Sequence, residues 1–310
     1  MKRVVIIGGV AGGMSAATRL RRLDPDASIT VLERSGFVSY ANCGLPYYVG
    51  GVIADQAALL LQTPESLDAR FELDVRVNSE VQHIDRDKKE VVVANGDDEY
   101  RLAYDVLILS PGALPIVPPI PGIDRAMTLR TVEDVKKIAD AVAANPTTAV
   151  VIGGGFIGIE SAENLVHRGI KTTLVEAADQ VMTPLDPELA TLVHDEITRN
   201  NVELFLGDGV ERIDSTHVFL KSGQSIPAEL IIAAIGVRPD VSLARGCGLE
   251  VGTRGGIQVN EFGQTSDPSI YAIGDVAEKI DAFDGEPTLV PLANIANRQG
   301  RVAADHIMGR

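Results

Sequence analysis

The feature that most limits how this chain can fold is an internal repeat. The stretch "VVIIGGVAGGMSAATRLRRLDPDASITVLER", near the start, is matched by "AVVIGGGFIGIESAENLVHRGIKTTLVEA" from Ala149. Each copy reads as an apolar strand, a glycine-rich turn, an amphipathic helix, a second strand and a terminal acid. A second echo follows each copy: "EVQHIDRDKKEVVVANGDDEYRLAYDVLILSPGA" and "GVERIDSTHVFLKSGQSIPAELIIAAIGVRP". There, short strands with polar turns lead into a buried strand that ends at a glycine. The predicted fold is therefore α/β, with two Rossmann-like three-layer dinucleotide-binding domains, each carrying a small antiparallel β excursion. The expected boundaries are residues 1–115 for the first part of the first domain, 116–243 for the second domain, and 244–310 for the return to the first. The proline-rich "PGALPIVPPIPGI" is the natural crossing between them.

Composition fits two cores. A chain of 310 residues is long for one, and 45% apolar residues are ample to fill two. The 28 Lys and Arg stand against 43 Asp and Glu, so the net charge is −15. That balance argues against a nucleic acid or a membrane surface as a partner. Two cysteines cannot form a disulfide framework and suit a reducing, cytoplasmic compartment. The start, "MKRVVIIGGVAGGM", imitates a signal peptide, but glycines interrupt it and a charged helical stretch follows, so it reads as a buried first strand. The uncharged run from Val106 to Ile123 is too rich in proline to stay helical across a membrane.

The loops carry the chemistry. In "VVIGGGFIGIE", Gly153, Gly155 and Gly158 have the full G-x-G-x-x-G spacing, with Phe156 and Ile157 between the last two. Such a loop needs a tight turn, close approach of backbone to a pyrophosphate, and a helix packed near enough to offer its first N–H groups. Glu176 closes the next strand, where a carboxylate can accept from both hydroxyls of an adenosine ribose and would repel a 2′-phosphate. NADH is therefore expected, with NADPH as the alternative. The first loop, Gly8, Gly9, Val10, Ala11, Gly12 and Gly13, departs from the pattern because Val10 stands at the middle glycine. Glu33 ends its following strand. Taken alone, that loop has an ordinary tight turn as its lesser alternative reading.

A third element, "TSDPSIYAIGDVAE", runs an apolar strand into Gly274 and Asp275, where glycine admits a phosphate and the acid can hold a polyol hydroxyl. With these motifs in this order the chain resembles the pyridine nucleotide-disulfide oxidoreductases over essentially its whole length. The resemblance implies FAD on the first loop and NADH on the second. It implies that Gly274 and Asp275 return to the FAD ribityl chain and pyrophosphate. Ser110, Pro111 and Gly112, in "YDVLILSPGA", look like the other FAD-side turn. The same resemblance places Arg34, Asn42, Val81, Arg130, Gly236 and Ala293 among the cofactor contacts, and Glu160 beside flavin and nicotinamide as a catalytic acid. Glu160 has the alternative role of compensating charge at a helix start.

Cys43 sits in "SYANCGLPYYVGG", which resembles the active-site segment of coenzyme A-disulfide reductases and NADH-dependent persulfide reductases. Common family members place a second cysteine five positions on; here that position is Tyr48, so Cys43 has no local partner. Its sulfur must pair with an external sulfur or oxidise to a sulfenic acid. The expected partners are a small-molecule disulfide, persulfide or polysulfide, with coenzyme A as substrate or adduct. Cys247, in a turn-rich segment, reads as a small structural residue. The main rival is an NADH oxidase or peroxidase; the peroxidases carry a histidine where this chain has Ala11. A flavin redox sensor without turnover is the non-enzymatic alternative. Ser15, Arg19 and Arg22 share one helix face and could present two guanidinium groups to coenzyme A phosphates. The resemblance adds Ser39 and Asn42 near the adduct. The bland reading of that face is a solvated surface opposite Ala16, Leu20 and Leu23. Where the family carries one lysine contact, this chain has Phe71. The family continues into a C-terminal domain that forms a homodimer interface. The chain is thus expected to be a piece of a longer, homodimeric protein.

Overall fold

A computed structural model describes residues 1–310. The chain divides into two units: Met1–Tyr40, Leu60–Leu114 and Arg238–Arg310 form the first, Ala41–Leu59 and Pro115–Val237 the second. No helix is long and apolar enough to cross a membrane.

The first unit opens with β1 (Arg3–Ile7), α1 (Ala11–Leu23) and β2 (Ser28–Leu32). The second unit then claims α2 (Leu45–Val49). The first resumes with α3 (Pro64–Phe71), β3 (Asp74–Arg76), the antiparallel strands β4 (Glu80–Asp85), β5 (Glu90–Asn95) and β6 (Asp98–Ala103), then β7 (Val106–Leu109). The chain leaves through β8 (Ala113–Pro115). Inside the second unit come α4 (Val132–Ala143), β9 (Thr148–Ile152), α5 (Phe156–His167), β10 (Lys171–Val175), α6 (Pro187–Arg199) and β11 (Glu203–Phe205). There follow β12 (Val210–Ile213), β13 (His217–Leu220), β14 (Ser225–Pro227) and β15 (Leu230–Ala233). The return runs through β16 (Val237–Pro239), α7 (Ser242–Gly246), β17 (Ile257–Gln258), β18 (Ile270–Ala272), β19 (Ala277–Ile280), β20 (Pro287–Thr288) and α8 (Ala293–Ile307).

The repeat in the sequence is a repeat in topology. The first parallel sheet has the order β3-β2-β1-β7-β18, and the second has β11-β10-β9-β15, the same order without the last strand. β1 lies between β2 and β7, in register from Arg3↔Ser28 to Ile7↔Leu32 and from Val4↔Val106 to Ile7↔Leu109. Alternation along β1 sorts its residues between two cores. Val4 and Ile6 pack with Met14, Ala17 and Leu20 of α1 and Ala303 of α8. Val5 and Ile7 pack the other way, with Val81, Ile84, Val91 and Val93 of the antiparallel strands. The first unit thus has three layers: helices, parallel sheet and antiparallel sheet. In the second, Val150 and Ile152 likewise meet Val210, Ile213, Val218 and Leu220 of the antiparallel strands.

Residues 41–59 differ from the expected boundaries, which ran the first domain unbroken to residue 115. They group with the second unit because α2 packs on α4 and α5. The approach is close: a Cβ on Gly50 would stand 2.0 Å from Asn164 Oδ1 of α5.

Candidate dinucleotide sites and the Cys43 helix

In the first unit, three motif segments meet at the carboxyl ends of β1, β7 and β18. Gly8 has φ +103, and a Cβ there would lie 2.0 Å from the Ser110 carbonyl oxygen, so only glycine fits. A Cβ on Gly12 would meet Ser110 Oγ at 2.8 Å and Ile273 Cδ1 at 3.4 Å, and one on Gly274 would meet Ser110 Oγ at 3.8 Å. Open α/β sheets bind ligands at this edge. The Val10 N-cap gives α1 no side-chain cap, so the first N–H groups of α1 lack a side-chain acceptor from that position. Glu33 is buried at the end of β2 and accepts from Gly9 N at 2.8 Å and Ser35 N at 2.9 Å. Arg34 pairs with buried Asp240 at 3.0 Å. Pro111 and Gly112 follow Ser110, and the Gly112 carbonyl accepts from Asp240 N. Asp275 is half-buried, Ala293 opens α8 exposed, and the Val81 side chain lies inside the core. Gln299 was not apparent in the sequence: its Oε1 accepts from Gly274 N at 2.6 Å and fixes that turn.

The second unit repeats the construction. Glu176 accepts from Gly154 N at 2.6 Å and Ala178 N at 2.8 Å, as Glu33 does from its own loop. α5 starts from Gly155 with no side-chain cap, and a Cβ on Gly155 would meet nothing within 4 Å. An open place over uncapped helix N–H groups suits a pyrophosphate. Phe156 is 63% exposed and Ile157 is exposed beside it, an apolar surface at the loop mouth. Gly236 follows β15 with φ +107, and Arg130 donates its backbone N–H to Asp134 just ahead of α4. The residues present therefore fit a dinucleotide in each unit.

Cys43 is exposed on a 3-10 turn, Asn42–Gly44, that runs directly into α2. Tyr47 stands four residues on, one helical turn away. The negative charge of Glu160 pushes the Tyr47 phenol above its ordinary value, and burial, Glu163 and Cys43 add in the same direction. Burial raises the Glu160 carboxyl, helped by Glu163. Cys247 is half-buried with its thiol toward the Ala244 carbonyl, and burial raises its pKa, as suits an inert structural thiol.

The proposed coenzyme A face is partly engaged. Ser15 Oγ donates to Asn297 Oδ1 at 2.9 Å, and Arg19 pairs with Asp305 at 2.7 Å, both partners on α8. α8 covers this face because Gly300 admits it: a Cβ there would lie 2.5 Å from the Gly12 carbonyl oxygen. Arg22 is exposed, held to the Thr18 carbonyl of its own helix. Ser39, at φ +47, donates its N–H to the Gly9 carbonyl at 2.8 Å.

Two glycine-turn sites, each closed by a strand-end acid, define a protein built to hold two dinucleotides. The pattern of the pyridine nucleotide-disulphide oxidoreductases matches residues 2–300. The chain belongs to that family, and it is a Rossmann-type flavoprotein oxidoreductase. It is 34% identical over 315 residues to an NADH oxidase of Methanocaldococcus jannaschii, covering 99% of this chain and 70% of that protein. It is 33% identical over 312 residues to the coenzyme A disulfide reductase of Staphylococcus aureus, covering 100% and 71%. The crystal structure of reduced Bacillus anthracis CoADR-RHD superposes with a TM-score of 0.98 at 52% identity, over 99% of this chain and 57% of that one. The NAD-dependent persulfide reductase of A. fulgidus gives 0.97 at 37% identity, over 99% and 59%. The chain therefore spans less than two thirds of these two solved structures.

Proposed function

We propose that this chain is the two-nucleotide portion of an NAD(P)H-dependent disulfide or persulfide reductase, with FAD in the first unit, NAD(P)H in the second, and Cys43 as the reacting sulfur. The observation that carries this reading is the position of Cys43. Its thiol is exposed at the start of a helix packed against α5, the helix whose own start forms the second glycine loop. Gly8 to Gly13, Glu33, Ser110 to Gly112, Gly274 and Asp275 would hold FAD, with Arg34, Val81 and Ala293 around it. Gly153, Gly155, Phe156, Ile157, Gly158 and Glu176 would hold the reductant, with Arg130 and Gly236. When bound, FAD supplies two-electron transfer between a dihydronicotinamide and sulfur.

The chain's own residues do the rest. Cys43 attacks an external disulfide sulfur, since no second cysteine is within local reach to form an internal pair. Glu160 sits on the helix that α2 covers, in surroundings that favour its protonated form. Glu176 keeps lone pairs for ribose hydroxyls beyond its two backbone bonds. The residues that follow it, Ala177, Ala178 and Asp179, offer no cation to a 2′-phosphate, which supports NADH over NADPH. Arg22 and Ser39 are the remaining candidates for coenzyme A in the first unit; Ser15 and Arg19 would have to exchange their α8 partners.

An NADH oxidase reading is favoured by the Methanocaldococcus jannaschii relative. It would use Cys43 as a sulfenic acid. NADH consumption compared across coenzyme A disulfide, coenzyme A persulfide, polysulfide and oxygen separates the two. A sulfur acceptor is expected to be turned over at least tenfold faster than oxygen. Faster turnover with oxygen would replace the reductase reading by the oxidase one.

A further inference from the structure

We propose that His194 is a positioning residue for the reductant site. Its neutral ring holds the Val181–Met182 turn against the second glycine loop, and losing that hold weakens dinucleotide binding. This rests on the reading of the second unit as the NAD(P)H site and adds the side chain that sets the wall beside Glu176.

The hold joins a loop to a helix. Val181, in the segment after Glu176, donates its N–H to His194 Nε2 in the middle of α6, at 3.1 Å. Val181 is buried, and a Cβ on Gly154 would stand 2.7 Å from its Cγ1. Met182 N then donates to the Gly154 carbonyl at 2.9 Å. Glu176 takes the Gly154 N–H at 2.6 Å. Gly154 is thus gripped at its N–H, at its carbonyl and on the face a Cβ would occupy. Two of those grips come from the turn that His194 holds.

The turn needs a hold because Met182 has φ +50, the left-handed region that a Cβ disfavours. Such a residue persists where its neighbours over-determine it. The first unit repeats the frame. Glu33 takes the Gly9 N–H, a Cβ on Gly9 would stand 2.7 Å from Val38 Cγ1, and Ser39, at φ +47, donates to the Gly9 carbonyl. A frame built twice around the glycine next to the strand-end acid belongs to the nucleotide loop. In the second unit an imidazole from α6 anchors it.

The chemistry of the ring makes this anchor conditional. A neutral imidazole accepts on one nitrogen, whereas an imidazolium donates from both and cannot take the Val181 N–H. Imidazoles change charge between about pH 5 and pH 8, so the anchor is present on the alkaline side and lost toward acid. The loop carries Glu176, Asp179 and Asp186, α6 carries Glu188, Asp195, Glu196 and Arg199, and β11, against which α6 packs, carries Glu203. Glu176 is taken by the Gly154 and Ala178 N–H groups, Glu203 accepts from Thr173, and Arg199 pairs with Glu196.

The test is calorimetric titration of the FAD-loaded protein with ADP-ribose, the part of the dinucleotide that would face Glu176 and one that survives mild acid. His194→Phe keeps a flat ring without an acceptor, whereas His194→Gln places an amide oxygen near the position of Nε2. His194→Phe should weaken ADP-ribose binding about tenfold, the scale of one N–H left unpaired, and His194→Gln should stay within about threefold of the parent. Between about pH 8 and about pH 5.5 the unmodified protein should lose a similar factor, a loss absent from His194→Gln. Equal weakening by both substitutions, or by neither, overturns the role of His194 and leaves the nucleotide reading standing. So does an acid-side loss that His194→Gln shares in full. No binding of ADP-ribose to the unmodified protein at alkaline pH overturns the reading of the second unit, and the role of His194 with it.

Discussion

The two glycine loops use the same strand, turn and helix but differ at three positions, Val10-Ala11-Gly12 against Gly155-Phe156-Ile157, and the middle glycine of the motif is present in the second as Gly155 where the first has Val10. Both residues adopt a φ open to any amino acid, −112 and −77, so the backbone does not demand glycine at either. Space does not demand it either, since a Cβ on Gly155 would meet nothing within 4 Å. Other glycines of the motif are different. A Cβ on Gly13 would lie 1.9 Å from the Gly8 carbonyl oxygen, and one on Gly158 would lie 1.8 Å from that of Gly153. The motif thus mixes glycines the fold requires with one that neither its backbone nor its surroundings in the fold require.

That distinction predicts its own largest effect. Gly13→Ala and Gly158→Ala should each cost more than about 4 kcal/mol, because the obstructing atom is backbone and has nowhere to go. Denaturant unfolding followed separately by each variant checks this; a loss below 1 kcal/mol in either would undo the division of the motif. Next in size is Gly155→Val. It should leave stability within about 1 kcal/mol, as expected for a tolerated site, yet weaken NADH binding at least tenfold in a calorimetric titration. Val10→Gly should do the reverse, costing roughly 0.5–1 kcal/mol through chain entropy with little change in FAD affinity. Unchanged NADH binding by Gly155→Val would show that the open place is not a ligand site.

The smallest effect separates the bases of the two sheets. Ahead of β7, Asp105 takes the Arg3 N–H at 2.8 Å and its guanidinium at 2.7 Å. Ahead of β15, Glu229 takes the Thr147 N–H at 2.8 Å and hydroxyl at 2.7 Å. The same clamp is ionic in one unit and made with neutral donors in the other. The hydrogen bond and charge of Arg3 hold the Asp105 carboxyl down at about 2, below its ordinary 3.8. A depressed carboxyl gives its stabilisation above the ordinary value and loses it as pH falls through the folded value. The Asp105 contribution should therefore disappear between about pH 4 and pH 2. Being exposed, it should also shrink in salt. Comparing Asp105→Asn with Glu229→Gln melts at low and high ionic strength checks this; equal salt dependence would remove the contrast.

Much of the architecture was legible because its signals are local. Strand, glycine turn, helix and acid follow one another within thirty-odd residues, and the echo "GVERIDSTHVFLKSGQSIPAELIIAAIGVRP" marked the second antiparallel excursion at β12 to β14. What stayed hidden depends on partners far along the chain. The Ser15 and Arg19 face looked free because Asn297 and Asp305 lie almost three hundred residues on, and nothing near α1 announces α8. Residues 41–59 looked like part of the first domain because what sends them to the second unit is the packing of α2 on α4 and α5, whose residues lie about a hundred positions further along the chain. Gln299, bound to the Gly274 turn, and Asp240, bound to Arg34, escaped for the same reason.

The proposed role of Cys43 is tested most directly by rapid mixing of Cys43→Ser with NADH and then with coenzyme A disulfide, while flavin absorbance is followed. Reduction by NADH needs the two nucleotide sites but no sulfur, so it should proceed within about twofold of the parent rate. Reoxidation by the disulfide requires a sulfur nucleophile and should fall by at least a hundredfold. Reoxidation of Cys43→Ser by coenzyme A disulfide at the parent rate would contradict the account.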